Sequence, residues 1–425
     1  MYPQAVSLLG FAMPTVIKRC LALIIFLVLY NFIWSYLWYL TDASPNPGVL
    51  VVLPKLIDLL NSYIGHTRQL ADVNWHTGLI VHGYEHLNSS EAGFDWSWQR
   101  NWAYFPLQPY LARPLTWLGI SPIIALLINS FLGAATLTLM CVGIVDRDHA
   151  FSDQGMRVAL LMLFFIIPPL GLMTNFVVLP AAIFVAAYLT LRQILSEAQA
   201  APLTLLLGSA AILIASGLSR VQGIVFDVLI VVAFVSTALC SRPARAKPST
   251  IGLFIASAVM PIVIVAAIFQ VVAKDPLAFQ KIQVAWGRTW SAPWKPIIEA
   301  FKLGGAVNFG SGTELPFTII RLGVFIIVAV VGLGYWARAI QMKSGESALV
   351  VFDGCVLLIG LALIALPLMT STLMSAHRYM TCAAIVVAAT LKLGWRPSWI
   401  LISLLLLIRM GEFVLFSRGY LFLIW

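Results

Sequence analysis

The sequence predicts an all-α protein that crosses a membrane many times. Its 425 residues are 61% hydrophobic and only 10% charged, and the mean hydropathy is +0.94. A water-soluble domain carries about 25% charged residues, so this composition excludes a soluble fold. Apolar runs long enough to cross about 30 Å of hydrocarbon recur along the whole chain. We therefore predict a single integral-membrane domain over residues 1–425.

The apolar runs define the predicted spans. We count about eleven: 20–40, 121–145, 157–174, 175–193, 202–218, 224–240, 250–273, 316–337, 348–369, 379–393 and 399–418. The first run has no small-residue cleavage site after it, so we expect a retained span.

Basic residues near the span ends set the orientation, because short loops rich in Lys and Arg stay cytoplasmic. This rule places one set of basic residues on the inner face: Lys18, Arg19, Arg147, Arg192, Arg242, Arg245, Lys247, Arg338, Lys343, Lys392 and Arg396. The long loops 41–120 and 274–315 then lie outside, with the turns near Arg220 and Arg378. The net charge of +9 is explained by this topology, and we expect no nucleic-acid partner.

Polar and aromatic residues are densest at 71–113, inside the first outer loop. A helical pattern over 70–82 puts four side chains on one face: Asp72, Trp75, His76 and Leu79. A carboxylate beside an imidazole and an indole suits a site that deprotonates a hydroxyl group and supports a sugar. The alternative is that Asp72 caps the helix N-terminus and that the aromatic rings form an interfacial belt.

Two further features of this loop bear on its role. Residues 49–63 are apolar and lightly charged after a turn sequence, which predicts a helix lying in the membrane interface. His82 and His86 have the spacing of a helical metal pair, but Gly83 and Tyr84 interrupt a helix there. No cysteine or acidic residue has metal-site spacing to them, so we expect no metal cofactor.

Several blocks of this sequence resemble the PIG-V type mannosyltransferases, which include the eukaryotic enzyme that adds the second mannose of the GPI anchor and many bacterial relatives. In the first loop, Asp72 is followed eleven residues later by Gly83 and Tyr84, and then by an Asn-x-Ala-aromatic-Phe-Pro block at 101–106. Further blocks follow in the family's order: SRVQG at 219–223, DPLAF at 275–279, QVAWGR at 283–288, SAHRY at 375–379, and Phe416 with Gly419 and Tyr420.

This sequence departs from the family pattern at two places. Ala71 stands where the family usually has a Trp before the loop carboxylate, and no acidic residue occurs around 168–175. Donor or acceptor recognition is therefore expected to differ from that of the mannose-transferring members.

The resemblance implies a GT-C type fold and a polyprenyl-phosphate-sugar-dependent glycosyltransferase. Such an enzyme moves a sugar, here by resemblance mannose, from the lipid carrier to a glycolipid or glycan acceptor on the extracytoplasmic face. Asp72 would be the general base of an inverting transfer. No cofactor beyond the donor co-substrate is expected, and the bacterial-style blocks indicate a bacterial inner membrane with the site facing the periplasm.

Arginines on the outer face are candidates for the donor phosphate, because a guanidinium offers paired donors to phosphate oxygens. They are Arg220, Arg288 and Arg378. The alternative for each is that it contacts lipid headgroups at a span end. The remaining substrate-binding candidates are His76, Tyr84, Gln283, Trp286 and Tyr379.

A secondary transporter or lipid flippase is the alternative function, and a non-catalytic subunit of a glycan-assembly complex is a third hypothesis. Asp227 and Asp353 fall in spans, where carboxylates can mark a proton path. Arg409 and Glu412 are three residues apart in the last span and are predicted to form a structural ion pair. The polar chemistry is densest in an outer loop and not at mid-membrane, which favours the transferase.

Overall fold

The computed structural model describes residues 71–87, 100–146, 152–167, 178–197, 201–240, 246–286, 314–342, 347–369 and 380–417, together with a few positions between 291 and 298. Every regular element within these ranges is helical, which confirms the all-α class for them. The predicted first span at 20–40 and the predicted interfacial helix at 49–63 lie outside the described residues.

The described part contains thirteen α-helices, numbered here in chain order. They are α1 Ala71–His82, α2 Leu107–Trp117, α3 Pro122–Val145, α4 Asp153–Leu161, α5 Val178–Glu197, α6 Leu203–Ser219, α7 Val221–Cys240, α8 Pro248–Val272, α9 Ala278–Ile282, α10 Glu314–Met342, α11 Ser347–Leu368, α12 Ala384–Lys392 and α13 Trp399–Ser417. Shorter turns accompany them: the 3₁₀ turns Asn101–Ala103, Gln283–Trp286 and Met380–Ala383, and the π-helical turn Met162–Ile166.

Six of the described helices are long and apolar enough to cross a bilayer. They are α3, α5, α7, α8, and the segments Leu322–Met342 of α10 and Ala348–Leu366 of α11. Two shorter apolar helices, α6 and the first part of α13, accompany them. The protein is therefore a multi-pass membrane protein, while the number of about eleven spans stays a prediction.

The spanning helices pack through small residues. Gly133 of α3 lies against the backbone of Leu179 in α5, where an added Cβ would come within 2.8 Å of the Leu179 Cα. Gly354 of α11 similarly receives the indole ring of Trp336 from α10. Close approach of this kind supplies the van der Waals contact that holds helices together in lipid, where the hydrophobic effect between them is weak.

Helix α4 ends well before its predicted limit at residue 174. Its last turn is π-helical and ends at Ile166, although the apolar run continues. The guanidinium of Arg409 in α13 donates to the carbonyl oxygens of Leu163, at 3.5 Å, and Ile167, at 3.1 Å. Arg409 is only 1% exposed, and it satisfies carbonyl groups that the broken helix leaves over. The side chain of Glu412, its predicted partner, lies outside the described residues.

A buried ion pair joins α5 to α11. Arg192 donates from Nε and Nη2 to the two carboxylate oxygens of Asp353, at 2.8 and 3.1 Å. The hydroxyl of Tyr188 donates to the same carboxylate at 2.7 Å. Asp353, which the sequence left as a candidate for a proton path, is thus tied to a cation and a phenol. These contacts indicate a structural ion pair that links the two spans.

Candidate functional site

The first long loop and the start of the second, which are both predicted to lie outside, meet at one end of the bundle. Leu79, Tyr84 and Phe105 from the first loop share a buried apolar cluster with Phe269 and with the start of the second loop. The amide of Leu87 donates to the carbonyl of the last residue of α8 at 2.7 Å. The sequence blocks at 83–84, 101–106 and 275–279 are therefore packed together, although nearly 200 residues separate the first from the last.

The loop helix predicted over 70–82 is present as α1, Ala71–His82. It ends because Gly83 takes a left-handed conformation with φ of +78°, and the Gly83 amide donates to the Leu79 carbonyl at 3.1 Å. Side chains avoid this conformation, so glycine is favoured at the position after the helix. The chain then turns sharply and carries Tyr84 inward.

A bracket of hydrogen bonds fixes the turn after α1. Asn101 is 5% exposed; its Nδ2 donates to the Gly83 carbonyl, and its Oδ1 accepts from the Glu85 amide, both at 3.1 Å. Trp102 Nε1 donates to the Glu85 carbonyl at 2.8 Å. Arg100 pairs with the Glu85 carboxylate at 2.8 Å. We call Glu85 with residues 100–102 the Glu85 bracket.

Tyr84 and Tyr104 connect this bracket to α1. The Tyr84 hydroxyl donates to the Tyr104 carbonyl at 2.7 Å. Burial, with a smaller contribution from Tyr110, raises the pKa of the Tyr84 phenol far above its ordinary value. Its proton thus stays on the oxygen at all physiological pH values. The hydroxyl proton is directed inward, so only the oxygen lone pairs remain for a substrate.

The aromatic side chains of α1 pack on Tyr104. The imidazole of His76 meets the Tyr104 ring edge-on with centroids 4.7 Å apart, and the ring of Trp75 stacks at 6.4 Å. His76 is 5% exposed, which fixes its ring in place. Asp72 lies one helical turn before His76 in α1, and its side chain lies outside the described residues.

The second loop begins with a turn that Asp275 stabilises. Asp275 accepts from the Leu277 amide at 2.8 Å and pairs with Lys281, which begins and braces the short helix α9. Burial alone would raise the pKa of Asp275, but the hydrogen bonds from Lys281 and the Leu277 amide outweigh it and lower this pKa. Phe279 meets Phe105 edge-on at 4.8 Å. The DPLAF block thus builds the junction between the two loops.

Of the remaining candidates, Arg220 and Gln283 lie at the same end of the bundle. Arg220 is the single residue that separates α6 from α7, and the neighbouring Leu218 and Ile224 pack on the apolar cluster of the two loops. Gln283 donates from Nε2 to the Phe279 carbonyl at 3.2 Å. Trp286 ends the following 3₁₀ turn. Outside the described residues lie the side chain of Trp286 and the residues Arg288, Arg378 and Tyr379.

The arrangement presents a helix with a buried imidazole, an aromatic platform and a basic turn at one end of the bundle. The sequence did not predict that Arg100, Glu85 and Trp102 hold the turn after α1 in place. Their signal was weak, because hydrogen bonds between residues 15 or more positions apart leave no periodic pattern. Among the described residues, no group of three His, Cys, Asp or Glu side chains is placed to hold a metal ion.

Comparisons with protein-family models and with curated proteins find no match to this chain.

Proposed function

We propose that this protein is a membrane glycosyltransferase that moves a sugar from a polyprenyl-phosphate carrier to a lipid or glycan acceptor. Mannose is the sugar that the PIG-V resemblance suggests. The observation that carries the proposal is the packing of the first-loop blocks, the DPLAF block and the Arg220 turn at one end of the bundle. A transferase needs its base and its phosphate-binding residues on one face, and this packing supports that requirement.

In this proposal Asp72 is the general base. It takes the proton of the acceptor hydroxyl, whose oxygen attacks the anomeric carbon from the side opposite the carrier phosphate. The bond from the anomeric carbon to the phosphate oxygen breaks, the configuration inverts, and the carrier phosphate leaves with the electron pair. His76 and Tyr104 hold the face of α1 on which Asp72 stands.

Arg220 is proposed to neutralise the charge that develops on the leaving phosphate. Its carbonyl accepts from the Gly223 amide at 2.9 Å, which fixes the backbone of the turn. A fixed cation stabilises a developing negative charge better than a mobile one, because no reorganisation is needed during the reaction. Arg288 and Arg378 are further candidates for the same role.

The test is sugar transfer by purified protein in lipid nanodiscs, with radiolabelled polyprenyl-phosphate-mannose as donor and a membrane lipid extract as acceptor source. We expect Asp72→Asn to lower kcat by at least about 100-fold while carrier binding is retained. Glu197→Gln is the matched control, because Glu197 lies at the end of α5, at the opposite end of the bundle from the Arg220 turn. This variant should keep wild-type transfer.

Each alternative predicts a different result. A flippase or transporter would move labelled carrier across the bilayer of sealed vesicles without forming a new glycoside. A non-catalytic subunit would do neither. The proposal is abandoned if the wild type transfers no sugar from any polyprenyl-linked donor, or if Asp72→Asn and Glu197→Gln behave alike.

A further inference from the structure

Asp227 is a carboxylate with no use in the site described above. It lies in the second turn of α7 and is fully buried. Its Oδ2 points at α6, where it lies 2.8 Å from the position that a Cβ on Gly217 would occupy. The Ser216 hydroxyl and the Gly217 backbone are the polar groups that face it. Neither of its oxygens makes a hydrogen bond of good geometry with any residue that the structure describes.

The groups around Asp227 carry no compensating charge in the described part of the chain. From α6 it is faced by the Ser216 hydroxyl and the Gly217 backbone. From α8 the neighbour is Pro261, whose ring packs where a Gly217 side chain would be. Helices α5 and α11 also pack on α7, but Arg192 of α5 is already paired with Asp353 of α11. An ionised carboxylate without a partner is very unfavourable inside a helix bundle in lipid.

We infer that Asp227 is a proton-binding site: it is held as the neutral carboxylic acid, hydrogen-bonds across to Ser216, and positions the Arg220 turn. A carboxylic acid carries one O–H donor and a carbonyl acceptor, and the Ser216 hydroxyl can match either. The Ser216 hydroxyl oxygen is itself buried without a hydrogen-bond partner among the described residues. A small side-chain rotation would therefore satisfy both groups at once. The link to Arg220 rests on the proposed function, but the proton does not.

The α6–α7 hairpin is tightly packed between Asp227 and Arg220. Gly223 packs directly on the Ser216 carbonyl, with no room for a side chain. The same carbonyl accepts from the Ser219 hydroxyl at 2.6 Å, and Arg220 follows at once. A shift of α6 against α7 at Ser216 would therefore move the guanidinium. Asp227 is a positioning residue in this arrangement, acting on the phosphate site through Ser216.

The proton is tested directly by infrared spectroscopy of the full-length protein in nanodiscs. Wild type is expected to show the carbonyl stretch of a protonated carboxyl group, and Asp227→Asn should remove it. Asp353→Asn is the matched control, because Asp353 is also buried but is paired with Arg192, so its loss should leave the band unchanged. The inference is overturned if no band depends on Asp227, or if Na⁺ stabilises wild type against heating but not Asp227→Asn, since the carboxylate would then hold a metal cation.

The positioning role is tested by a pair of substitutions. Asparagine has the shape and hydrogen-bonding groups of the neutral acid, so Asp227→Asn should fold and keep the donor KM within about threefold of wild type. Asp227→Leu cannot hydrogen-bond and should raise the donor KM by about 5- to 30-fold with a smaller change in kcat. If Asn fails to fold or loses as much as Leu, an ionised carboxylate is required and the inference is wrong. If the wild type transfers no sugar, the proposed function fails, and the infrared result still decides the proton site.

Discussion

Breaking the ion pair between Arg192 of α5 and Asp353 of α11 should lower the free energy of unfolding. The size of the loss depends on how deeply the two side chains are buried. The Asp353 side chain is 2% exposed and that of Arg192 is 23% exposed. Arg192→Met removes both hydrogen bonds from the guanidinium, so that Tyr188 is the one partner that Asp353 keeps among the described residues. Loss of one partner of a buried pair costs about 3–5 kcal/mol. Because Arg192 is partly exposed and Tyr188 remains, we expect a value near the lower limit, about 3 kcal/mol.

The double variant distinguishes a buried charge from a lost contact. Asp353→Asn keeps an oxygen for the Tyr188 hydroxyl but removes the charge, so it should cost about 1–2 kcal/mol alone. Combined with Arg192→Met, it leaves no unpaired charge, and the total should fall to about 1 kcal/mol. The free energy of unfolding would be measured by SDS titration in mixed micelles, followed by tryptophan fluorescence. The coupling is refuted if the stability losses of the two single variants sum to within about 0.5 kcal/mol of the loss measured for the double variant.

Three further predictions concern the end of the bundle that contains the candidate site. Gly83→Ala should lower the free energy of unfolding by about 1–2 kcal/mol, because Gly83 has a left-handed backbone. Gly78 lies inside α1 with open space around it, so Gly78→Ala should be neutral or stabilising. Thermal unfolding of the two variants tests this difference. Tyr84→Phe should cost about 1–3 kcal/mol in SDS titration, since the buried Tyr104 carbonyl loses its donor. Asp275 has a lowered pKa, so its stabilising effect is present at neutral pH and lost as the pH falls below about 4. Asp275→Asn should cost at most about 1 kcal/mol at pH 7 and nothing in acid, as unfolding at both pH values would show.

Hydropathy was a good guide to the positions of the described helices. The predicted spans at 121–145, 224–240 and 250–273 correspond to α3, α7 and α8 within three residues at each end. The end of α4 was missed, because an apolar run does not reveal where the backbone changes from α to π geometry. The hydrogen-bond pattern there depends on Arg409, which arrives from a helix more than 240 residues away.

The sequence predicted those parts of the candidate site that depend on local patterns and missed those that depend on contacts between distant residues. The helical period of 70–82 and the break at Gly83 are local signals, and both were found. The Glu85 bracket depends on Asn101 and Arg100 approaching from the far side of an insert, which no local pattern encodes. The same limit holds for Phe105 on Phe279, where the two blocks were recognised but their contact was not.

The two intramembrane aspartates show why residue type alone cannot decide between a transporter and a transferase. In the sequence Asp227 and Asp353 are equivalent: each is a single carboxylate in an apolar run. In the fold, Asp353 accepts hydrogen bonds from Arg192 and from the Tyr188 hydroxyl. Among the described residues, the polar groups that face Asp227 are the Ser216 hydroxyl and the Gly217 backbone. The paired group is fixed in its charge state by its cation. The other has no described cation and a complementary hydroxyl beside it, which favours a proton that stays bound. A proton pathway needs a carboxylate that exchanges its proton with water. If the fully buried Asp227 keeps its proton as inferred, it is expected to brace the α6–α7 hairpin, which favours the proposed transferase over the transporter.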